Sequence, residues 1–361
     1  MKREGVLDSF FDFESLDWAT IILILIVFVV LGALFTAGQI LRRQPESNFD
    51  KAIIRTFNRR VGAWLTICVM LVVALCLSKV VTVVFFGILS FWALREFITM
   101  TPTRPADHRT LFWVFFVFTP LQYVLVGLDW YNFYTILIPV YVSLFIPARI
   151  AFTGDHKRFL ERSAKIQFGV LICVYALSHA PALLYLDLVK YNQATDTWEP
   201  WVGKPTGLLF FFIVMVQVSD TLHFVWDRLF GRYVIASAIN PTKTWEGLIG
   251  TVCSTAVVGM LIQLLLPDVT PFTWYGAGFM AVLISVMASS GSMTMSAIKR
   301  DRGIKDYGTL VTGHAGVLDR IDSVCFAAPI FFHFTRFCLA SPPPLQDPDG
   351  MVAQFLNVLL T

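Results

Sequence analysis

The chain has 361 residues, 56% of them hydrophobic and only 15% charged, with a mean hydropathy of +0.68. Soluble domains sit nearer half apolar and a quarter charged, and the apolar residues here fall in long blocks, which excludes a water-soluble globule. The formal net charge is only +3, but it is unevenly distributed.

An acidic N-terminal flank precedes an apolar block at 19–41. That block is longer than the 7–15 residues of a signal-peptide core, so it reads as a retained span. Further blocks follow at 61–77, 79–94, 111–128, 133–150, 166–187, 207–226, 247–266, 273–295 and 324–340, each near the ~20 residues a helix needs to cross a bilayer. Only Ser78-Lys79 separates the second from the third. The expected fold is all-α: a polytopic integral membrane protein of about ten transmembrane helices with a polar cleft facing the cytoplasm. The chain divides into N-terminal helices (1–206), a C-terminal set carrying the polar motifs (207–340) and a short tail (341–361) opened by Ser341-Pro-Pro-Pro-Leu345, where the prolines break the helix.

Loops at 42–60, 95–110, 149–166, 227–246 and 296–322 hold 22 of the 28 basic residues, and ten spans place all five on one side, which makes that side the cytoplasm. Both termini then lie outside, with the Asp129-Trp130 turn and the loop from Trp198 to Trp201. With no retention or transit signal visible, a bacterial inner membrane is expected, an endoplasmic-reticulum membrane being the alternative. The six cysteines lie in apolar runs without a Cys-x-x-Cys pair and read as reduced packing residues. Arg95-Glu96 and Arg149 read as interfacial ion pairs and anchors.

Two stretches concentrate polar chemistry. In the first, Asp220 lies inside an apolar helix, where an ionised carboxylate is costly unless paired or wet. It shares one helical stripe with His223 and Asp227. The bland alternative is a helix facing a wet cleft with its carboxylates paired. Asn240-Pro-Thr-Lys-Thr-Trp-Glu-Gly247 then opens the next helix: Thr244 is placed to cap it, Glu246 suits its N-terminal dipole, and Lys243 stands at the interface. Its bland alternative is a capped helix start with an anchoring lysine and tryptophan.

The second stretch, Ser296 to Ser323, packs Lys299, Arg300, Arg302, Lys305 and Arg320 with Asp301, Asp306, Asp319 and Asp322 around Gly313-His-Ala-Gly316. Cations, carboxylates for a metal and exposed glycine N–H groups are what phosphate chemistry requires. A positive-inside loop would explain the Lys and Arg excess, but not Asp319 and Asp322 at the membrane edge.

These stretches together resemble the phosphatidate cytidylyltransferase (CDP-diacylglycerol synthase) family. Its signature is matched by Ser296, Lys299, Arg300, Lys305, Asp306, Gly308, Gly313, His314, Gly316, Asp319, Arg320 and Asp322, and its upstream block by Asp220, Thr221, Pro241, Lys243, Thr244, Trp245, Glu246 and Gly247. The likeness covers about 216–323. Four positions depart from the pattern: Ala315 for a glycine, Thr312 for a proline, Asn240 for a serine, and Ser292 for an aspartate that is a metal ligand in the resembling enzymes. The resemblance implies transfer of the cytidylyl group of CTP to phosphatidate within the bilayer, with Mg²⁺ as cofactor. It implies no nucleic-acid partner and leaves room for a homodimer. Asp319 would be the main metal ligand, Asp322 its second, and Asp220 a third from a neighbouring helix. Lys299, Arg300, Lys305, Arg320 and Lys243 would hold phosphates, and His314 would be a phosphate contact. Asp306 would be structural or a further ligand. Thr244, Ser296, Gly313 and Gly316 would line the substrates.

Three other classes compete. A CTP-dependent lipid kinase of the dolichol or phytol type would move the γ-phosphate and need a base. An anion transporter would call for inverted repeats and discontinuous helices at mid-membrane. A family member of reduced activity, or with another acceptor, is the reading that Ser292 keeps open.

Overall fold

The computed structural model describes residues 16–43, 51–100, 103–192, 197–303 and 316–339. Within them each expected span has its helix: α1 Trp18–Arg43, α2 Lys51–Leu77, α3 Lys79–Met100, α4 Pro105–Gly127, α5 Tyr131–Ala151, α6 Phe159–Tyr185, α7 Pro205–Leu229, α8 Trp245–Leu265, α9 Trp274–Asp301 and α10 Leu318–Leu339. The chain is an all-α polytopic membrane protein. Eight of these helices are long and apolar enough to cross a membrane. The other two are α2, apolar over Trp64–Leu77, and α10, whose first turns carry Asp319, Arg320 and Asp322.

Ser78 separates α2 from α3. Its hydroxyl accepts from the Val81 N–H at 3.1 Å and so caps the new helix. Helices α4, α5 and α6 each contain a π-helical stretch, at Val114–Phe118, Leu137–Val142 and Leu171–Ala176. In the first two, a hydroxyl just beyond the wide turn donates to the carbonyl five residues back: Thr119 Oγ1 to Val114 at 2.8 Å and Ser143 Oγ to Ile138 at 2.9 Å. Side-chain donors of this kind keep such irregularities tolerable in lipid.

Two short antiparallel ribbons interrupt the helices: β1 (Val189–Asn192) with β2 (Thr197–Pro200), and β3 (Val234–Ala236) with β4 (Asn240–Thr244). An all-helical reading misses them because strands of three to five residues leave little periodicity to detect.

Helix α7 is the axis of the fold. Every residue from Thr206 to Gln217 is buried, as expected of a helix apolar on all sides. It packs against α8, α9 and α10, and its buried residues join one core with those of α3–α6. The six cysteines are free thiols.

On the α3–α6 side, the segments 103–107 and 152–158 are clamped by charge. Arg162 forms an ion pair with Asp107, their side chains 4% and 1% exposed. Arg162 Nε lies 3.0 and 3.1 Å from the two Asp107 oxygens, and Nη1 donates to the carbonyls of Asp155 and Lys157. Arg104 meets both oxygens of Asp155 at 2.8 and 2.9 Å, and this hydrogen-bonded guanidinium holds the Asp155 carboxyl below its ordinary range. A depressed carboxylate stabilises the fold above the ordinary value of about 4, and that contribution fades as acid protonates it.

Candidate active site

The last three turns of α7 form a polar hub at one membrane face, where α7 and α9 end and α8 and α10 begin. Residues 219, 220, 223, 226 and 227 fall on one stripe by the helical repeat, and each reaches a different neighbour. Ser219 Oγ donates to Ser285 Oγ of α9 at 2.9 Å. Asp220 Oδ1 accepts from Ser323 Oγ of α10 at 3.0 Å. Trp226 Nε1 donates to Ser254 of α8 at 3.0 Å.

His223 is 1% exposed. Its Nδ1 faces Lys243 Nζ at 2.9 Å and Ser289 Oγ at 3.2 Å, and its Nε2 lies 3.6 Å from Asp227. Two donors converge on Nδ1, which assigns the proton to Nε2, on the Asp227 side. The same geometry holds the Lys243 ammonium against α7 rather than loose at the headgroup level.

Asp227 organises the start of α8. Its Oδ1 accepts from the Thr244 N–H at 2.9 Å and the Thr244 hydroxyl at 2.8 Å, while Thr244 Oγ1 accepts from Gly247 N–H at 3.0 Å as the helix cap. Glu246 reaches back to the N–H groups of Arg232 and Tyr233 and fixes the turn before β3. This crowding explains Gly247: a Cβ there would stand 1.9 Å from Asp227 Oδ1. Glycine to alanine inside a helix ordinarily stabilises by up to about 1 kcal/mol. Gly247→Ala is expected to reverse that sign and cost about 1–3 kcal/mol through overpacking, read as a lowered unfolding midpoint in detergent.

Helix α10 supplies the other wall. Asp319 pairs with Lys299 of α9 at 2.9 Å. Asp322 Oδ1 accepts from the Ser323 N–H at 2.8 Å and lies 3.5 Å from the same hydroxyl that Asp220 accepts. Asp220 and Asp322 are therefore brought to one place from two helices, while Asp319 is turned one step aside to Lys299. Among the described residues no group of three or more His, Cys, Asp or Glu gathers as a metal cluster. Gly291 of α9 permits this approach, since a Cβ there would meet the Asp322 carbonyl at 2.9 Å. Ser292, next to it, is half-buried, and its carbonyl takes the Ser296 hydroxyl at 2.7 Å. Arg300 Nε donates to the Ile239 carbonyl at 3.2 Å and ties the end of α9 to the β3–β4 turn. Arg320 and Gly316 sit at the start of α10, half-buried and buried. Lys305, Asp306, Gly313 and His314 lie outside the described residues.

Glu96 corrects a sequence expectation. Among the described residues it forms no ion pair with Arg95; its carboxylate accepts from the N–H groups of Val317 at 3.0 Å and Leu318 at 2.8 Å. A side chain of α3 thus caps α10 directly before Asp319, where a negative charge also suits the helix dipole. Glu96→Ala is expected to cost about 1–2 kcal/mol and to lower turnover by loosening the first turn of α10. Glu96→Gln, which keeps an acceptor oxygen, should restore most of both in a paired unfolding and activity assay.

The family model described as "Cytidylyltransferase family" matches residues 58–338, most of the chain. The chain is 31% identical over 299 residues to the uncharacterized protein YnbB of Escherichia coli (strain K12), covering 83% of this chain and 92% of that one. It is 33% identical over 145 residues to the phosphatidate cytidylyltransferase of Haemophilus influenzae, 40% of this chain and 50% of that one. It is 38% identical over 191 residues to phosphatidate cytidylyltransferase 4, chloroplastic, of Arabidopsis thaliana, 50% of this chain and 48% of that one. The alignments with these two enzymes span about half the length of each. With the described part of its signature gathered where α7 and α9 end and α8 and α10 begin in a helical membrane protein, this chain belongs to the cytidylyltransferase family.

Proposed function

We propose that the chain transfers the cytidylyl group of CTP to phosphatidate, giving CDP-diacylglycerol and pyrophosphate, with the site on the cytoplasmic side. The observation that carries this reading is the meeting of Asp220 and Asp322 at the Ser323 hydroxyl beside the Lys299–Asp319 pair. A phosphate oxygen of the lipid forms a bond to the α-phosphorus of CTP as the bond from that phosphorus to the β-phosphate bridging oxygen breaks. The nucleophile is already anionic, so no general base is needed. The difficulty is bringing two anions together, and the protein's part is charge neutralisation and in-line positioning.

Lys299 and Lys243 supply positive charge, held by Asp319 and His223 respectively. Arg300, Arg320, Lys305 and His314 are proposed to hold phosphates, and Thr244, Ser296, Gly313 and Gly316 to line the substrates. Two carboxylates within reach of one hydroxyl are a donor set that fits Mg²⁺, which commonly takes one or two carboxylates with substrate phosphates and water. Asp322 and Asp220 would hold it, joined by Asp319 on release from Lys299, and its charge would offset that of the nucleotide phosphates. Asp306 is proposed to stay outside this set.

The test is a panel of acceptors given to the detergent-purified protein with CTP and Mg²⁺. Phosphatidate should give pyrophosphate and lipid-linked cytidine in equal amounts, and a polyprenol or other lipid alcohol should give nothing. A phosphorylated alcohol with CDP would assign the chain to the lipid kinases. No turnover with any acceptor would sink the enzymatic reading.

A further inference from the structure

Helices α3 and α4 line an apolar groove of about 870 Å³ between Val80 and Arg95. Its walls include Val83, Gly87, Phe91, Trp92 and Tyr123, and among the described residues Arg95 is its only charged lining residue. From Val80 to Arg95 the groove runs roughly 22 Å at the helical rise of 1.5 Å per residue, the reach of a fatty acyl chain rather than of a compact solute. Gly87 lies across the groove wall from Tyr123, whose ring is 3.4 Å from where a Cβ would stand, so a large side chain at 87 would enter the groove. Arg95 is exposed, lies 5.9 Å from the Trp92 ring, and forms no ion pair among the described residues. The neighbouring carboxylate of Glu96 is engaged by two backbone N–H groups of α10 and does not line the groove.

We propose that this groove is a docking site for a resident phospholipid with a singly anionic phosphodiester headgroup, its acyl chain along α3 and α4 and its phosphate at Arg95. This docking rests on the groove and Arg95 and does not depend on the proposed transfer chemistry. One guanidinium at the mouth matches one phosphodiester charge, whereas a phosphomonoester such as the proposed acceptor carries up to two and would call for further cations. A basic side chain at an anionic membrane surface contributes a preference of about fivefold.

The experiment uses Trp92 as its own reporter. The full chain in non-ionic detergent is titrated with phosphatidylglycerol, phosphatidylcholine and phosphatidate brominated in one acyl chain. Quenching at the groove is taken as the difference between wild type and Trp92→Phe. The expected result is saturable quenching with phosphatidylglycerol half-saturating about fivefold below phosphatidylcholine. Arg95→Gln should bring those two lipids together, and Gly87→Leu should remove the saturable component for both. Arg95 is exposed, so that variant carries the test alone should Gly87→Leu fail to fold. Equal half-saturation in the wild type, or an unchanged preference in Arg95→Gln, overturns the site. Phosphatidate binding more tightly than phosphatidylglycerol overturns the assignment to a phosphodiester lipid.

Discussion

Asp322→Asn is expected to lower cytidylyl transfer by about 10²–10³-fold, the loss that follows removal of one group stabilising charge in a transition state. Asparagine keeps the shape and one acceptor oxygen, so the hydrogen bonds from the Ser323 N–H and hydroxyl persist and the α9–α10 contact at Gly291 is undisturbed. What disappears is one of the two negative charges that α7 and α10 bring together. Asp220→Asn should act in the same direction. Asp301→Asn is the control: Asp301 is exposed, paired with Arg302, and outside the meeting point, so its replacement should leave turnover near wild type. A fall of the same size in the control would show that charge anywhere at this end of the helices matters. No fall in Asp322→Asn would remove Asp322 from the chemistry.

The largest loss of stability is expected from Arg162→Ala. Its partner Asp107 has a side chain 1% exposed, so deleting the guanidinium leaves a buried carboxylate without its cation and strands two carbonyl acceptors. Removing one member of a buried pair costs about 3–5 kcal/mol, much more than the pair itself contributes. Thermal unfolding of the purified protein in detergent should show a strongly lowered midpoint. Arg162→Ala combined with Asp107→Ala should recover part of it, because the uncompensated charge is then gone. Arg162→Lys should rescue poorly, since a single ammonium cannot span both Asp107 oxygens and two carbonyls at once. An unchanged midpoint in Arg162→Ala would mean that water reaches Asp107.

Apolar block length was enough to read all ten helices, even across the one-residue break at Ser78, because the lipid demands a continuous apolar stretch whatever its neighbours are. The cap at Thr244 was equally legible, being a contact over three residues. Asp220 stood out as a carboxylate in an apolar helix, and Asp322 as one at a membrane edge; both reach the same hydroxyl. Long-range partners left no such trace. Glu96 reads as a headgroup anchor until the fold brings it to a helix start 221 residues later. His223 shares a stripe with Asp220 and Asp227, but nothing local says that Lys243 and Ser289 will converge on one of its nitrogens. The Asp107–Arg162 pair spans 55 residues and looks like two ordinary interfacial charges. The signal that could have found Glu96 is a carboxylate at the same end of the helices as the first N–H groups of α10.

Asp319 shows how the two levels of description differ. Its place in the motif suggests the principal metal ligand, yet its carboxylate meets Lys299 at 2.9 Å, and the carboxylates that share a hydroxyl are Asp220 and Asp322. Ser292, where the resembling enzymes carry an aspartate, lies beside Gly291, the residue touching the Asp322 backbone. The missing charge is therefore close to Asp322, which gives Asp220 its importance in the proposed donor set.

The most direct measurement is the fate of a radiolabel from CTP in the presence of phosphatidate, Mg²⁺ and the purified full chain. Label in the α-phosphate should appear in the lipid fraction, and label in the γ-phosphate should appear only in released pyrophosphate. Label from the γ-phosphate entering the lipid, with α-label remaining in soluble CDP, would contradict cytidylyl transfer.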